Sequence, residues 1–361
     1  MYKVNEISAK RLLESDDPEE LKGLLKLADA VREETVRQQV CIHGIIEFSN
    51  HCQSLCAYCG IRGPNKTLQR YQMSPEEIRD TALTAVKVSG YKMLVLQSGE
   101  DPWYDTDRLI WIIRKIKSDQ AAKCLVFLSI GNRDYETYET LYRAGARGVL
   151  FRFETSDPDL YKKLHPDCNL EERLEHLRYM KEIGYLTASG PLIGLPGQTI
   201  DSLVQDIFFM RDLGLAMASM GPFIPAPNTP LAGEKPGDIK TVIMMIALTR
   251  LIYPHVRIPI TTALEKLGGM AVRRTALTGG ANAFMLNLTP AQYRENYDIY
   301  PGKNLVKTHI HSLETVEELT KLISSCGRRV CKGWGTDFTL TKEDFNGSCN
   351  TGLTSSREMR Q

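Results

Sequence analysis

From residue 41 to about residue 287, this 361-residue chain alternates short β-rich runs with amphipathic helical stretches, eight times over. Repetition of strand then helix makes successive strands parallel, and a parallel sheet must be covered on both faces. Eight units of this kind predict an α/β fold, a closed (β/α)8 barrel of the TIM type. The strands are expected at 41–49, 91–97, 124–130, 148–154, 186–193, 216–224, 257–262 and 281–287. Helices are expected at 74–89, 105–117, 134–144, 171–183, 199–213 and 238–251, the first opened by Ser74-Pro75-Glu76-Glu77. Residues 6–39 read as two further helices, with Asp17-Pro18-Glu19-Glu20 as a start signal. The chain therefore divides into an N-terminal helical extension (1–40), the barrel (41–287) and a C-terminal segment (288–361) that closes it. That last segment carries a helical pattern over 314–325 and a polar tail from Asn346.

In such a barrel chemistry sits where strands end and the loops to the helices begin. Here every one of those ends is polar. The second closes on Gln97-Ser98-Gly99-Glu100-Asp101-Pro102, the third on Ser129-Ile130-Gly131-Asn132, and the fourth on Arg152-Phe153-Glu154-Thr155. The fifth reaches Gly194-Leu195-Pro196-Gly197-Gln198-Thr199, the sixth Gly221-Pro222-Phe223-Ile224-Pro225, the seventh Thr261-Thr262, and the eighth Met285 and Asn287. Composition narrows the partners. With 45 Lys and Arg against 44 Asp and Glu, no general attraction to nucleic acid or an anionic membrane is expected. No secretory leader is legible, and no apolar run reaches the ~18 residues of a membrane span. Nine cysteines, an odd number, suggest no disulfide framework and point to a reducing cytoplasm.

Three of those cysteines crowd into Cys52-Gln53-Ser54-Leu55-Cys56-Ala57-Tyr58-Cys59, the loop after the first strand. The spacing C-x3-C-x2-C gathers three soft thiolates on a turn suited to one metal centre. A 4Fe–4S cluster usually takes four thiolates, so three leave one iron open to a further ligand. Zinc is the rival, but its structural sites are closed by a fourth Cys or His. His51 adjoins Cys52 and can rarely reach the same tetrahedron. The remaining reading, three thiols packed as small apolar groups, suits so polar a loop poorly.

The cysteine motif resembles that of radical S-adenosylmethionine (SAM) enzymes, in which SAM chelates the fourth iron. Ile46-Glu47-Phe48-Ser49-Asn50, the Gln97–Pro102 and Gly194–Thr199 segments, Gly221–Pro225, Ile258-Pro259-Ile260-Thr261-Thr262-Ala263, and Tyr293 through Tyr300-Pro301-Gly302 together resemble the HydE maturases of FeFe-hydrogenase. Biotin synthase and the methylornithine synthase PylB are near relatives of that group. The resemblance runs from about residue 40 to about residue 303. It implies one 4Fe–4S cluster on Cys52, Cys56 and Cys59, with SAM bound to it. Tyr58 is then expected near the adenine, Ser98, Gly99 and Glu100 at the methionine end, and Glu154 and Arg173 as hydrogen-bonding partners. Tyr297 would close over the cofactor. Gln97, Thr261 and Thr262, with Met217 and Met285, are assigned to the substrate end.

Each assignment has a plainer counterpart. Glu154 could pair with Arg152, and Arg173 with Glu171 or Glu172. Gly194 to Thr199 could be only a turn and a helix cap. The threonine pair is β-branched strand material, and the tyrosines could pack the lid. The stretch Asn304–His309, where many HydE proteins carry a second cysteine motif, has none. Cys326 and Cys331 lack a third partner nearby in sequence, Cys41 and Cys124 read as core, and one cluster is expected. The resemblance implies an oxygen-sensitive radical SAM enzyme that takes an electron from a ferredoxin or flavodoxin. It would cleave SAM to a 5′-deoxyadenosyl radical and act on a small cysteine-bound iron complex, alongside other hydrogenase maturases. An amino-acid mutase like PylB is the runner-up. That family grips its substrate with an arginine and an aspartate where this chain has Ser219 and Ala263. A non-catalytic iron–sulfur carrier is the third reading.

Overall fold

The computed structural model describes residues 4–302 and 313–331. Its strands are β1 (Gln39–Ser49), β2 (Met93–Ser98), β3 (Leu125–Ser129), β4 (Gly148–Leu150), β5 (Leu186–Ser189), β6 (Met217–Ala218), β7 (Pro259–Ile260) and β8 (Ala283–Asn287). They lie parallel in the spatial order β6-β5-β4-β3-β2-β1-β8-β7. One parallel bridge between Met217 and Arg257 joins the two edges. The ring is the (β/α)8 architecture that the alternation predicts.

Side chains alternate along each strand. Met93, Val95, Leu125, Phe127, Ala188 and Met217 point inward and fill the ring, with Ile45, Leu150 and Met285 against them. Ile46, Phe48, Leu94, Leu96, Val126 and Leu128 point outward and join the helices in the larger core. The helices begin on side-chain caps, including Ser74 with Glu77, Asp105, Asp134, Asn169 and Asp238, each contributing about 1 kcal/mol. Helix Ile239–Ile252 is buried from Val242 to Leu251 because Glu6–Glu14 and Pro18–Thr35 pack over it. An apolar helix of this kind requires cover on more than one face, which the N-terminal extension provides. No described helix is long and apolar enough to cross a membrane.

Several strands stop earlier than their sequence runs suggest. The run from 186 breaks at Gly190, whose φ is +156° and whose added Cβ would lie 2.3 Å from Ser219 O. Beyond the break, Leu192–Ile193 pairs with Gly221–Pro222 as a separate ladder above the ring. The run from 148 ends at Leu150, and Glu154 takes a left-handed φ of 62°. The 257–262 run is also shorter. Thr261 caps the helix Thr262–Thr278, which kinks at Gly269 and fills the seventh helical position. The threonine pair is therefore a helix start rather than strand. A seven-residue helix, Pro158–Leu164, follows β4 where none was expected. Of the C-terminal segment, helix Leu313–Ser325 is present, and Arg329–Val330 pairs with Gln39 and Val40 at the foot of β1. The stretch 304–309, Cys349 and the tail from Asn346 lie outside the described residues.

Candidate active site

The cysteine loop leaves the top of β1 and takes its shape from groups around it. Asn50 Nδ2 donates to the carbonyls of Gln69 (2.9 Å) and Asn296 (2.6 Å), and its Oδ1 accepts from Tyr71 N. Arg70 donates to the carbonyls of Ile61, Arg62 and Asn65. Gly60 N donates to Ile299 O, which ties the loop to the C-terminal segment. From the other side the end of β2 presses in. Gln53 N donates to Glu100 O at 3.1 Å. A Cβ on Gly99 would sit 2.2 Å from His51 O and 2.7 Å from Cys52 Cβ, so only glycine fits this approach.

Each thiol has one hydrogen-bonding neighbour. Glu100 N donates to Cys52 Sγ at 3.3 Å, His165 Nδ1 lies 3.4 Å from Cys56 Sγ, and the backbone of Ile61 bonds to Cys59. Burial pushes the Cys56 thiol well up, and Cys59 and Cys52 add to the shift. Burial, reinforced by Cys52, raises Cys59 to about 12. The three groups thus act on one another, as members of one site do. Arg173 and Arg70 pull in the opposite direction without prevailing. Positive charge sufficient to hold three thiolates must arrive with what they bind, and metal coordination deprotonates a thiol outright. Among the described residues no three His, Cys, Asp or Glu side chains converge on one point, as a single tetrahedral ion requires. A cubane ligated by one thiolate per iron needs no such convergence, and three soft donors fit it.

The loop opens on a cavity of about 330 Å³ at the mouth of the barrel. Cys52, Cys56, Cys59, Tyr58, Ser98, Gly99, Glu100, Glu154, Arg173 and Tyr297 all line it. So do Gln97, Thr261, Thr262 and Met285. Met217 does not. It is 1% exposed and packs among Val95, Phe127 and Ala188 in the ring, while Ser219, two residues further up on the same inward face, lines the cavity instead.

Glu154 keeps its plainer partner: Oε2 lies 3.0 Å from Arg152 Nε, though without hydrogen-bond alignment. Its Oε1 accepts from Tyr58 Oη at 3.2 Å. A buried carboxylate oxygen with no hydrogen bond is an acceptor poised for a donor group on a ligand. Arg173 does not pair within its helix, where Glu171 bonds Arg178 instead. It reaches inward to Arg152 O (2.9 Å) and Asn132 Oδ1 (2.6 Å), with its guanidinium 3.4 Å from the Phe151 ring centroid. Tyr297, in the C-terminal segment, is 2% exposed, and Thr262 Oγ1 meets Tyr300 Oη at 2.7 Å. The Gly194–Thr199 segment is a turn and cap: Gln198 Oε1 accepts from Gly194 N, and Thr199 caps with Ser202.

Sequence reasoning missed His165, Asn132 and Glu47, all in the lining. Asn132 orients Arg173, and Glu47 Oε2 accepts from Asn287 Nδ2 at 2.8 Å. The polar end of β3 hinted at Asn132. No motif announces His165, which reaches the site from the unexpected helix. Cys326 and Cys331 lie toward the foot of the barrel, where Cys331 N donates to Val40 O, and Cys41 and Cys124 are buried core.

Residues 46–210 match the family described as the radical SAM superfamily. The "[FeFe] hydrogenase maturase subunit HydE" of Thermotoga maritima is 45% identical over 315 residues, 87% of this chain and 88% of that protein. The 3-methylornithine synthase of Methanosarcina acetivorans is 30% identical, over 82% of this chain and 84% of its own length. The crystal structure of methylornithine synthase (PylB) superposes with a TM-score of 0.78 at 25% identity, covering 91% of this chain and 95% of that one. Similarity to these relatives along most of the chain accompanies the (β/α)8 fold, and the chain belongs to the radical SAM superfamily as a member of the HydE group.

Proposed function

We propose that this chain is a hydrogenase maturase that holds one 4Fe–4S cluster on Cys52, Cys56 and Cys59 and binds SAM across the barrel mouth. Its substrate is a small sulfur- or cysteine-containing iron complex on the way to the diiron subsite. When bound, cluster and SAM supply a 5′-deoxyadenosyl radical, with methionine released and the electron drawn from a ferredoxin or flavodoxin. The protein contributes placement and shielding. Glu154 offers acceptors to an ammonium or ribose group, and Arg173 a planar donor edge for a carboxylate. Tyr58 lies beside Glu154, and the Tyr297–Tyr300 segment covers the mouth and limits water. Thr261, Thr262 and Met285 sit with Gln97 in the same cavity. The observation that carries the reading is that the thiol loop, the expected SAM partners and this substrate end share one space. Other maturases in a reducing cytoplasm are the expected partners.

The 3-methylornithine synthase likeness favours an amino-acid mutase as second reading. Ser219 and Ala263 line the cavity without charge, so the arginine and aspartate that family uses to grip an amino acid have no counterpart there. The test is complementation of a maturase-deficient strain, scored by hydrogen evolution, with Cys56→Ala as control. Restored hydrogen evolution, with about four irons and four sulfides per chain, is the expected result. No complementation by a fully loaded protein that cleaves SAM would return the case to the mutase. Cleavage surviving in Cys56→Ala would break the ligand assignment.

A further inference from the structure

His165 is 6% exposed, and its position is fixed from three sides. It ends helix Pro158–Leu164, its backbone N donates to Tyr161 O at 2.8 Å, and its ring stacks on Tyr161 with centroids 4.6 Å apart. The segment around it grips the cysteine loop on both sides of Cys56. Leu164 O accepts from Ala57 N at 2.8 Å, and Asp167 Oδ2 from Leu55 N at 3.1 Å. The ring is therefore held with Nδ1 3.4 Å from Cys56 Sγ and Nε2 3.3 Å from Tyr58 Oη. Cys52 and Cys59 receive backbone N–H groups, from Glu100 and Ile61. Cys56 alone has a side chain in that role.

We propose that His165 is a positioning residue that donates Nδ1–H to the Cys56 thiolate, giving each cluster ligand one hydrogen bond and orienting the Tyr58 hydroxyl. This rests on the cluster assignment above. A neutral imidazole has one N–H and one lone pair. A thiolate at Cys56 can only accept, so it selects the tautomer with hydrogen on Nδ1. Nε2 is then an acceptor, and the single Tyr58 O–H turns to it. Glu154 Oε1, 3.2 Å from the same hydroxyl, loses that donor and is released for SAM. Loading the three cysteines thus prepares the carboxylate that must meet the cofactor, with no net proton gained or lost at His165, Tyr58 or Glu154. Hydrogen bonds to ligand sulfurs also raise the reduction potential of a cluster.

The test uses anaerobically reconstituted holoprotein carrying 15N-labelled histidine, with His165→Leu and His165→Asn. Asn places an N–H near the Nδ1 position. Pulsed electron paramagnetic resonance on the reduced wild type should show one weakly coupled histidine nitrogen, absent in His165→Leu. At the wild-type midpoint potential, the reduced-to-oxidised ratio of His165→Leu should fall about tenfold, about 59 mV for one electron. His165→Asn should recover most of that shift. An unchanged midpoint in a fully loaded His165→Leu, or a wild type with no histidine coupling, overturns the proposal while leaving the cluster in place. If His165→Leu does not load, the coupling in the wild type and the midpoint of His165→Asn decide. A wild type that binds no cluster overturns the maturase reading, and this proposal with it.

Discussion

Asp206 gives a quantitative check on the loop that carries Glu154. It lies fully buried in helix Ile200–Asp212, and its Oδ1 accepts from Ser156 N at 2.7 Å. Oδ2 has no hydrogen-bond partner. Burial is the main cause that raises its carboxyl from 3.8 to about 7, against the lowering effect of Ser156. The folded state then binds a proton that the unfolded chain releases, so stability falls as pH rises through the window from about 4 to about 7. With one pKa unit at 1.36 kcal/mol, the penalty is about 1.7 kcal/mol near pH 5 and about 4 kcal/mol near pH 8. Asp206→Asn keeps an acceptor for Ser156 N and removes the ionisation. Its stability relative to wild type should therefore grow by about 2.5 kcal/mol between those two pH values. At ~2.1 cal/mol/K of unfolding entropy per residue, that is a relative rise in Tm of about 3 °C. Differential scanning calorimetry at both pH values, with scan rate and cluster loading held constant, reads it. A variant-to-wild-type difference that does not change with pH refutes the reasoning, since a purely steric or hydrogen-bonding effect has no such slope.

Two further perturbations address the site and its wall. Gly99→Ala drives a methyl group into His51 O and Cys52 Cβ, so the loop must retreat. Overpacking of this kind costs about 1–3 kcal/mol, and iron bound after reconstitution should fall several-fold; undiminished iron content would show that the close approach is not needed. In the kinked helix Thr262–Thr278, Glu265 holds Arg273 through two bonds of 2.6 and 2.7 Å across Gly269. Both side chains are at least nine-tenths buried. Glu265→Gln should destabilise by about 3 kcal/mol, whereas replacing both partners by Leu should cost much less, because no charge is then stranded. Urea unfolding of the two variants compares them, and equal costs would count against a desolvated pair.

The barrel was legible because strand–helix alternation and inward–outward periodicity are local signals that repeat. The thiol loop was legible for a similar reason, since three cysteines in eight residues need no tertiary contact to be neighbours. Ser98, Gly99 and Glu100 could be placed at the mouth because a strand end has only one place to go. The errors arose where neighbouring segments overruled local propensity. Thr261 and Thr262 read as strand by β-branching, yet the first caps a helix and the second reaches Tyr300. Met217 was assigned to the substrate end, but it lies too deep in the ring to line the cavity.

What the amino-acid order determined alone was therefore periodicity and proximity along the chain: eight repeating units, a thiol loop, and polar ends on the strands. Tertiary structure alone decided which side chains meet across the mouth. His165 stands 109 residues from Cys56, and Arg173 41 residues from Asn132. Those pairs form because ring closure brings β1, β3 and β4 to one opening, and no local pattern encodes a contact whose partners are related only through the curvature of the sheet between them.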